Sequence, residues 1–321
     1  MPTGDLYYRH SGRAPMGGVV AMLLVAGVAQ AVIAAVYGAL VFFSPFIYFN
    51  FLGTLGVGFV GGWLIRKIGM ATHVRNLPVY LLAAAVVGLV GLYAAWVGWT
   101  YALLERSFII NIDDAPVSIF SPIALAYLIE QVGREGIWSI GSDEQPVRGM
   151  MLYAVWLVEA GILVISPIVV AAAVRGEAYC EQTGCWLSEH TAIGPFEPIS
   201  MPIDFRTKME DGNFGVIGEL KPLDHEPRNG ERFAMITLSH AGQDQSTHLL
   251  SLNNVELKLD KQGKAQLSEL PIIRGMLIDR STHELIRQVA TVPADGEPAE
   301  VPIHAHVHAQ AESDQASPGP A

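Results

Sequence analysis

Gly149–Val174 reads GMMLYAVWLVEAGILVISPIVVAAAV, with Glu159 as its single charged residue. The run is about 26 residues long, and a helix rises about 1.5 Å per residue, so it is long enough to cross a ~30 Å hydrocarbon layer. Glu159 then falls roughly 15 Å from Gly149, near the midplane. A carboxylate at that depth is costly unless it is neutral, paired or wet, which makes it a site candidate by default.

Three further runs precede it: 17–43, 46–65 and 77–104. Each reaches the ~20 residues a spanning helix needs. The sequence therefore predicts an α-helical membrane protein with a four-helix transmembrane bundle over 17–176, after a cytoplasmic N-terminus (1–16). Arg9, Arg13 and Ala29-Gln30-Ala31 imitate a signal peptide with its cleavage site. The apolar run continues unbroken to Phe43, too long for such a segment, so a span is expected instead. Composition agrees, with 51% of residues hydrophobic and 16% charged, against about 25% charged in soluble domains.

Orientation follows the Lys/Arg bias. With both ends inside, the inner side holds Arg9, Arg13, Arg66, Lys67, Arg75 and Arg175, and the outer side Arg106, Arg134 and Arg148. The expected placement is a bacterial inner membrane, multi-pass, N-in and C-in. Within the loop 105–148, Ser121-Pro122 predicts a helix start. Ile123, Ala126, Leu128, Ile129 and Val132 give it an apolar face, and Gly133 is a candidate stop. The segment Gly136–Gly141 reads as a turn and anchor before the fourth span.

After Arg175 the character changes. The formal charge of −11 lies wholly in 177–321, since Lys+Arg and Asp+Glu balance before it. An acidic soluble part repels nucleic-acid backbones, so no nucleic acid is expected as a partner. Residues 177–292 are read as a small cytoplasmic α+β domain, irregular to about 203. Glu231–Ser239 and Thr247–Leu259 are predicted strands around a Gly242–Asp244 turn, and Asp260–Gly263 is a second turn with Lys264–Leu270 pairing back. Ser281-Thr282-His283-Glu284 reads as a capping box opening a helix. From 293 the Pro, Ala, Glu and Ser content predicts a disordered tail, in which His304, His306 and His308 alternate.

Small residues recur at helical spacing. Thr54, Gly58 and Gly62 share one face of the second span, and Ala84, Gly88, Gly91 and Ala95 one face of the third. Such seams let helix backbones approach in lipid, within one chain or across a homo-oligomer. The spans besides the fourth carry no charged residue, so Gln30 is the first candidate partner for Glu159, with Tyr37 or Tyr153 as alternatives. Cys180, Cys185 and His190 form C-x4-C-x4-H. Three readings stay open: unliganded thiols in a packed turn, a zinc site needing a fourth ligand, or a redox switch. A disulfide is not expected in a reducing cytosol.

Pro45–Phe51, Arg75-Asn76, Gly136–Gly141, the fourth span with Trp156 and Glu159, and Tyr179-Cys180-Glu181…Cys185-Trp186 together resemble a group of uncharacterised bacterial four-span inner-membrane proteins with a C-terminal soluble domain. The resemblance covers about 17–190 and implies the membrane and its bacterial setting, but no activity. The group's closer Cys-x-x-Cys knuckle stands here with a spacing of four. No Walker loop, HExxH, GxSxG or dinucleotide fingerprint occurs, so an enzyme is not favoured. The leading expectation is a non-enzymatic scaffold or accessory subunit, embedded in the lipid bilayer, that offers its C-terminal domain to a protein partner. The alternatives are a small transporter or channel using Glu159, and a metal or redox sensor using Cys180 and Cys185. No cofactor is expected beyond that zinc.

Overall fold

The computed structural model describes residues 6–44, 47–107, 119–136, 147–241, 247–261 and 264–290. The 137–141 anchor, the Gly242–Asp244 turn, Gln262-Gly263 and the tail with its three histidines lie outside them. The chain divides into two compact units, His10–Tyr179 and a second made of Met1–Arg9 with Cys180–Ala321.

The first unit contains four helices long and apolar enough to cross a membrane. These are α1 (Met16–Phe43), α2 (Ile47–Ala71), α3 (Leu77–Ser107) and α5 (Met150–Ala172). A short amphipathic helix, α4 (Pro122–Glu135), stands between the last two. The long helices present bulky apolar side chains outward, with Val32 60%, Leu52 67% and Leu157 74% exposed. Their contacts use small residues: Ala34, Ala94 and Ala95 pack with Val57 and Leu163. Large residues outside and small ones inside is the arrangement suited to a lipid solvent, where close backbone approach supplies the packing energy.

The closest approach joins α1 to α3. A Cβ at Gly38 would run into the Ala95 carbonyl, and one at Gly98 into the Ala35 carbonyl. The seams read in the sequence pack inside the chain. Gly58 and Gly62 of α2 meet Ser166 and Pro167 of α5, and Gly88 of α3 meets the Leu163 carbonyl, 2.9 Å from where its Cβ would stand. Pro167 lacks the N–H that would bond Leu163 in a regular helix. The freed carbonyl is thus accommodated where α3 has no side chain. At the opposite end of the helices, Arg66 pairs with Glu177, and the Arg75 guanidinium lies 4.5 Å over the Tyr179 ring.

Sequence boundaries need several corrections. Helix α2 runs to Ala71, not 65, because the Arg66-Lys67 pair sits at a helix end without breaking it. Helix α4 starts as expected, with Ser121 Oγ accepting from Ala124 N, but it ends at Glu135 with Gly136 at φ 79°. Gly133 is not the stop. It is buried inside the helix, where the Tyr153 ring occupies the space a Cβ would need.

The second unit is built on an antiparallel sheet in the order β3-β4-β5-β6. The strands are β3 (Glu189–Phe196), β4 (Arg232–His240), β5 (His248–Leu259) and β6 (Ala265–Ile278). A two-stranded ribbon, β1 (Tyr179–Cys180) and β2 (Cys185–Trp186), precedes it. Alternation along β4 puts Ala234, Ile236 and Leu238 on one face, where they join Leu250, Leu252 and Ile273. That core is covered by α6 (Pro202–Glu210) through Met209, a 3-10 turn at Phe214–Glu219, and α7 (Arg280–Ala290) through Ile286. Leu6–Tyr8 line the free edge of β6: Leu277 N donates to Leu6 O (2.9 Å) and Tyr8 N to Gly275 O (2.8 Å). The N-terminal segment therefore shields an edge that would otherwise expose unpaired backbone groups.

Residues 177–203, read as irregular, contain β1, β2 and β3. Strand β3 hides its pattern because Gly194-Pro195 interrupts it and its register shifts between Ile193 and Phe196. Strand β6 extends eight residues beyond the predicted Leu270, to Ile278. The capping-box expectation is also corrected. Thr282 N donates to Asp279 Oδ1 (2.7 Å), so Asp279, not Ser281, caps α7.

Candidate functional site

A cavity of about 350 Å³ lies among the four long helices. Its position follows from the sequence numbers that line it. Helix α1 contributes its last turns, α2 its first, α3 Leu92 to Trp99, and α5 Val155 to Leu163. The site therefore sits toward the end where α1 joins α2, away from the end that holds Arg66, Arg75 and Glu177.

Its polar side is small. Glu159 is the sole carboxylate lining it, and no Lys, Arg or His does so among the described residues. The Tyr37 hydroxyl lies 2.6 Å from the Asn50 carbonyl and 2.5 Å from Thr54 Oγ1, and Thr54 itself donates to Asn50 O (2.8 Å). Those hydroxyl protons are committed to the start of α2. Among the described residues no hydrogen bond or ion pair reaches the Glu159 carboxylate.

The apolar side is aromatic. Trp96 stands edge-to-face with Trp99 (centroids 5.6 Å, 72°) and with Trp156 (5.1 Å, 84°). Phe42 stands the same way on Trp99 (5.9 Å, 74°). Successive near-right angles turn the ring faces in different directions, and each contact adds to simple area burial.

The expected pairing of Gln30 with Glu159 is not found. Gln30 is 0% exposed and donates from Nε2 to the Val57 carbonyl (3.2 Å). It fills a slot made by two glycines: a Cβ at Gly61 would lie 2.8 Å from its Oε1, and one at Gly91 2.7 Å from its Nε2. The residue holds α1, α2 and α3 together. Tyr37, the alternative partner, does line the cavity with Glu159. Tyr153 instead packs on Gly133 and on the Trp156 ring (5.7 Å, 75°).

No family model, curated protein or solved structure matches this chain.

The cysteines of the second unit stand apart from that cavity. Cys180 is fully buried with Sγ 3.2 Å from Thr247 Oγ1, Cys185 Sγ lies 2.8 Å from Thr183 Oγ1, and neither is in a disulfide. His190 instead shares a 2.8 Å hydrogen bond with Ser239 on the surface. Among the described residues no group of three His, Cys, Asp or Glu is arranged to hold a metal ion.

Three histidines that sequence reading passed over do come together. His240 and His248 are opposed in the β4–β5 register. His283, from the first turns of α7, lies 4.3 Å from the His248 ring and 5.6 Å from the His240 ring. Burial depresses the His283 pKa, and positive charge on His248, His240 and Arg287 adds to the effect against a weaker opposing pull from Glu284. The three rings pack together between the β4–β5 hairpin and α7. On the surface the opposite holds for His225, whose proton is retained by Asp224 and Glu231 at 2.6 and 2.7 Å.

Proposed function

We propose that this chain is a multi-pass membrane protein whose helices form a solute-binding site around Glu159, serving binding or passage of a small molecule. The observation that carries this is the pairing of a ~350 Å³ cavity with a carboxylate that has no partner among the described residues. An ionisable group deep in apolar helices is kept for use when nothing structural satisfies it, and small-molecule sites are largely apolar hollows with few polar groups. Structural glue needed a Glu159–Gln30 bond, and Gln30 instead donates to the Val57 carbonyl from its slot between Gly61 and Gly91.

Topology supports a side for the site. The helical unit carries four spans, so the chain enters and leaves it on the same side of the membrane in this reading. An even number of spans joins two ends on one side. Six Lys/Arg against three support reading that side as the cytoplasm, in our proposal that of a bacterial inner membrane, and the cavity then belongs to the outer half.

Cysteine accessibility tests this. Glu159→Cys, placed in a chain with Cys180→Ala and Cys185→Ala, is exposed to a membrane-impermeant thiol reagent in right-side-out and inverted vesicles. Labelling in right-side-out vesicles is the expected result. An unreactive thiol from both sides, in protein that purifies and melts normally, overturns the proposal. A scaffold role through the soluble domain is the second reading, supported by its separate core. Recovery of a stoichiometric partner from mild detergent together with an unreactive Glu159→Cys would favour it.

A further inference from the structure

Resting on that reading, the geometry points to a particular ligand class: we propose that the Glu159 cavity takes an organic monocation, an ammonium group carrying apolar substituents.

Charge excludes the opposite sign. A carboxylate without a cationic neighbour among the described residues repels anions from a low-dielectric pocket. Donor chemistry disfavours bare metal ions. A calcium ion takes about 6–8 oxygen ligands and magnesium a near-octahedral set. Here the polar lining is one carboxylate, the Tyr37, Ser44 and Thr54 hydroxyls and Asn50, with the Tyr37 and Thr54 protons directed to the Asn50 carbonyl. A divalent ion would meet a single negative charge and keep one positive charge uncompensated in a low-dielectric site.

The three indoles supply what an organic cation needs. A ring face is electron-rich, and tryptophan binds cations best among the aromatics. Trp96 is turned by 72° from Trp99 and by 84° from Trp156, and all three line the cavity, so the set presents indole surface in more than one direction. An ammonium bearing methyl or larger groups spreads its charge over a surface that contacts ring faces without losing strong hydration. Glu159, two turns from the α5 start and next to Trp156 by one helical turn, supplies the counter-charge. Size agrees as well: about 350 Å³ is at the lower end of the roughly 300–1,000 Å³ of small-molecule sites.

The test uses the full chain in neutral-lipid nanodiscs. Benzyltrimethylammonium is titrated by calorimetry and by quenching of tryptophan emission, with neopentylbenzene as its uncharged counterpart of the same shape. The expected result is saturable binding of the cation, at least about tenfold tighter than of the neutral compound, or about 1.4 kcal/mol. Glu159→Gln and Trp156→Leu should each weaken it about tenfold or more, while Glu159→Asp and Trp156→Phe retain most of it. Melting temperature and elution volume confirm that each variant is folded. Absence of saturable cation binding, equal binding of the neutral compound, or unchanged binding by Glu159→Gln would each overturn the assignment. A reactive Glu159→Cys with no cation binding removes only the ligand class. An unreactive one removes the site itself.

Discussion

Gly98→Ala adds a single methyl group, and the helix packing makes a large effect follow from it. The new Cβ would lie 2.7 Å from the Ala35 carbonyl carbon and 2.9 Å from its Cα, with the carbonyl oxygen closer still. These are backbone atoms in the middle of α1, so no side chain can swing aside. Ordinary contact needs about 3.4–4 Å, so the two helices must separate by roughly 1 Å. Separation loosens the Ala34, Ala94 and Ala95 contacts as well. Overpacking of this kind costs about 1–3 kcal/mol. Gly38→Ala meets the Ala95 carbonyl at the same crossing and should cost a similar amount. The two changes share one displacement, so the double variant should cost less than their sum. Gly56→Ala and Gly161→Ala are the controls, since nothing lies within 4 Å of either new Cβ. Alanine is the better helix former by up to about 1 kcal/mol, so both controls should be neutral or stabilising. Reversible unfolding in mixed micelles with increasing SDS gives the differences. If Gly98→Ala were as stable as Gly56→Ala, the α1–α3 crossing described above would be wrong.

Three further outcomes concern the second unit. Acid should loosen the His240–His248–His283 cluster. With its folded pKa lowered, His283 is neutral in both states above about pH 6.5, and below that the unfolded chain takes up a proton first, so stability falls with pH. The protection factors of the β5 amides, which are exchange rates taken relative to the unstructured-chain rate at each pH, should therefore fall between about pH 6.5 and 5, and His283→Phe should flatten the change; Asp279, Glu284 and Glu189 face the cluster, and partial compensation by them would reduce its size without changing its sign. Tyr7→Ala removes a ring packed on the sheet core and a hydroxyl that donates to Glu210 Oε1 (2.5 Å); it should cost about 2 kcal/mol or more and release protection at Gly275 to Leu277. Asp279→Ala should cost about 1 kcal/mol through loss of the α7 cap, whereas Ser281→Ala should be near neutral by the same thermal melt.

The four long helices were legible because lipid demands long apolar runs whatever the tertiary packing. Glu159 was legible for the same reason: one charge stands out against an apolar background. Its surroundings were not. Gln30 and Glu159 are the conspicuous polar groups of α1 and α5, and depth alone favours pairing them. Which way each side chain faces depends on helix rotation, and that is set by Gly61 and Gly91, whose missing side chains make room for Gln30. The Trp96, Trp99 and Trp156 grouping was open to the same reasoning, because 96 and 99 share a helix face, but span-end tryptophans have a competing interfacial role. In the second unit, alternation gave β4 and β5. Strand β3 escaped because Gly194-Pro195 breaks its pattern, and the histidine pair escaped because the opposition of His240 to His248 needs the register of the hairpin. The Asp279 cap lost out to a better-known four-residue pattern that starts two residues later.

Hydroxyl-radical footprinting of the unmodified chain in nanodiscs tests the central claim most directly, since it reads water contact at native side chains. A wet cavity at Glu159 predicts oxidation of Trp96, Trp99 and Trp156 at rates within a few-fold of half-buried Trp186 in the second unit, while fully buried Tyr80 stays protected. Protection of all three tryptophans to the level of Tyr80 would contradict it and leave Glu159 as a packed residue with no site around it.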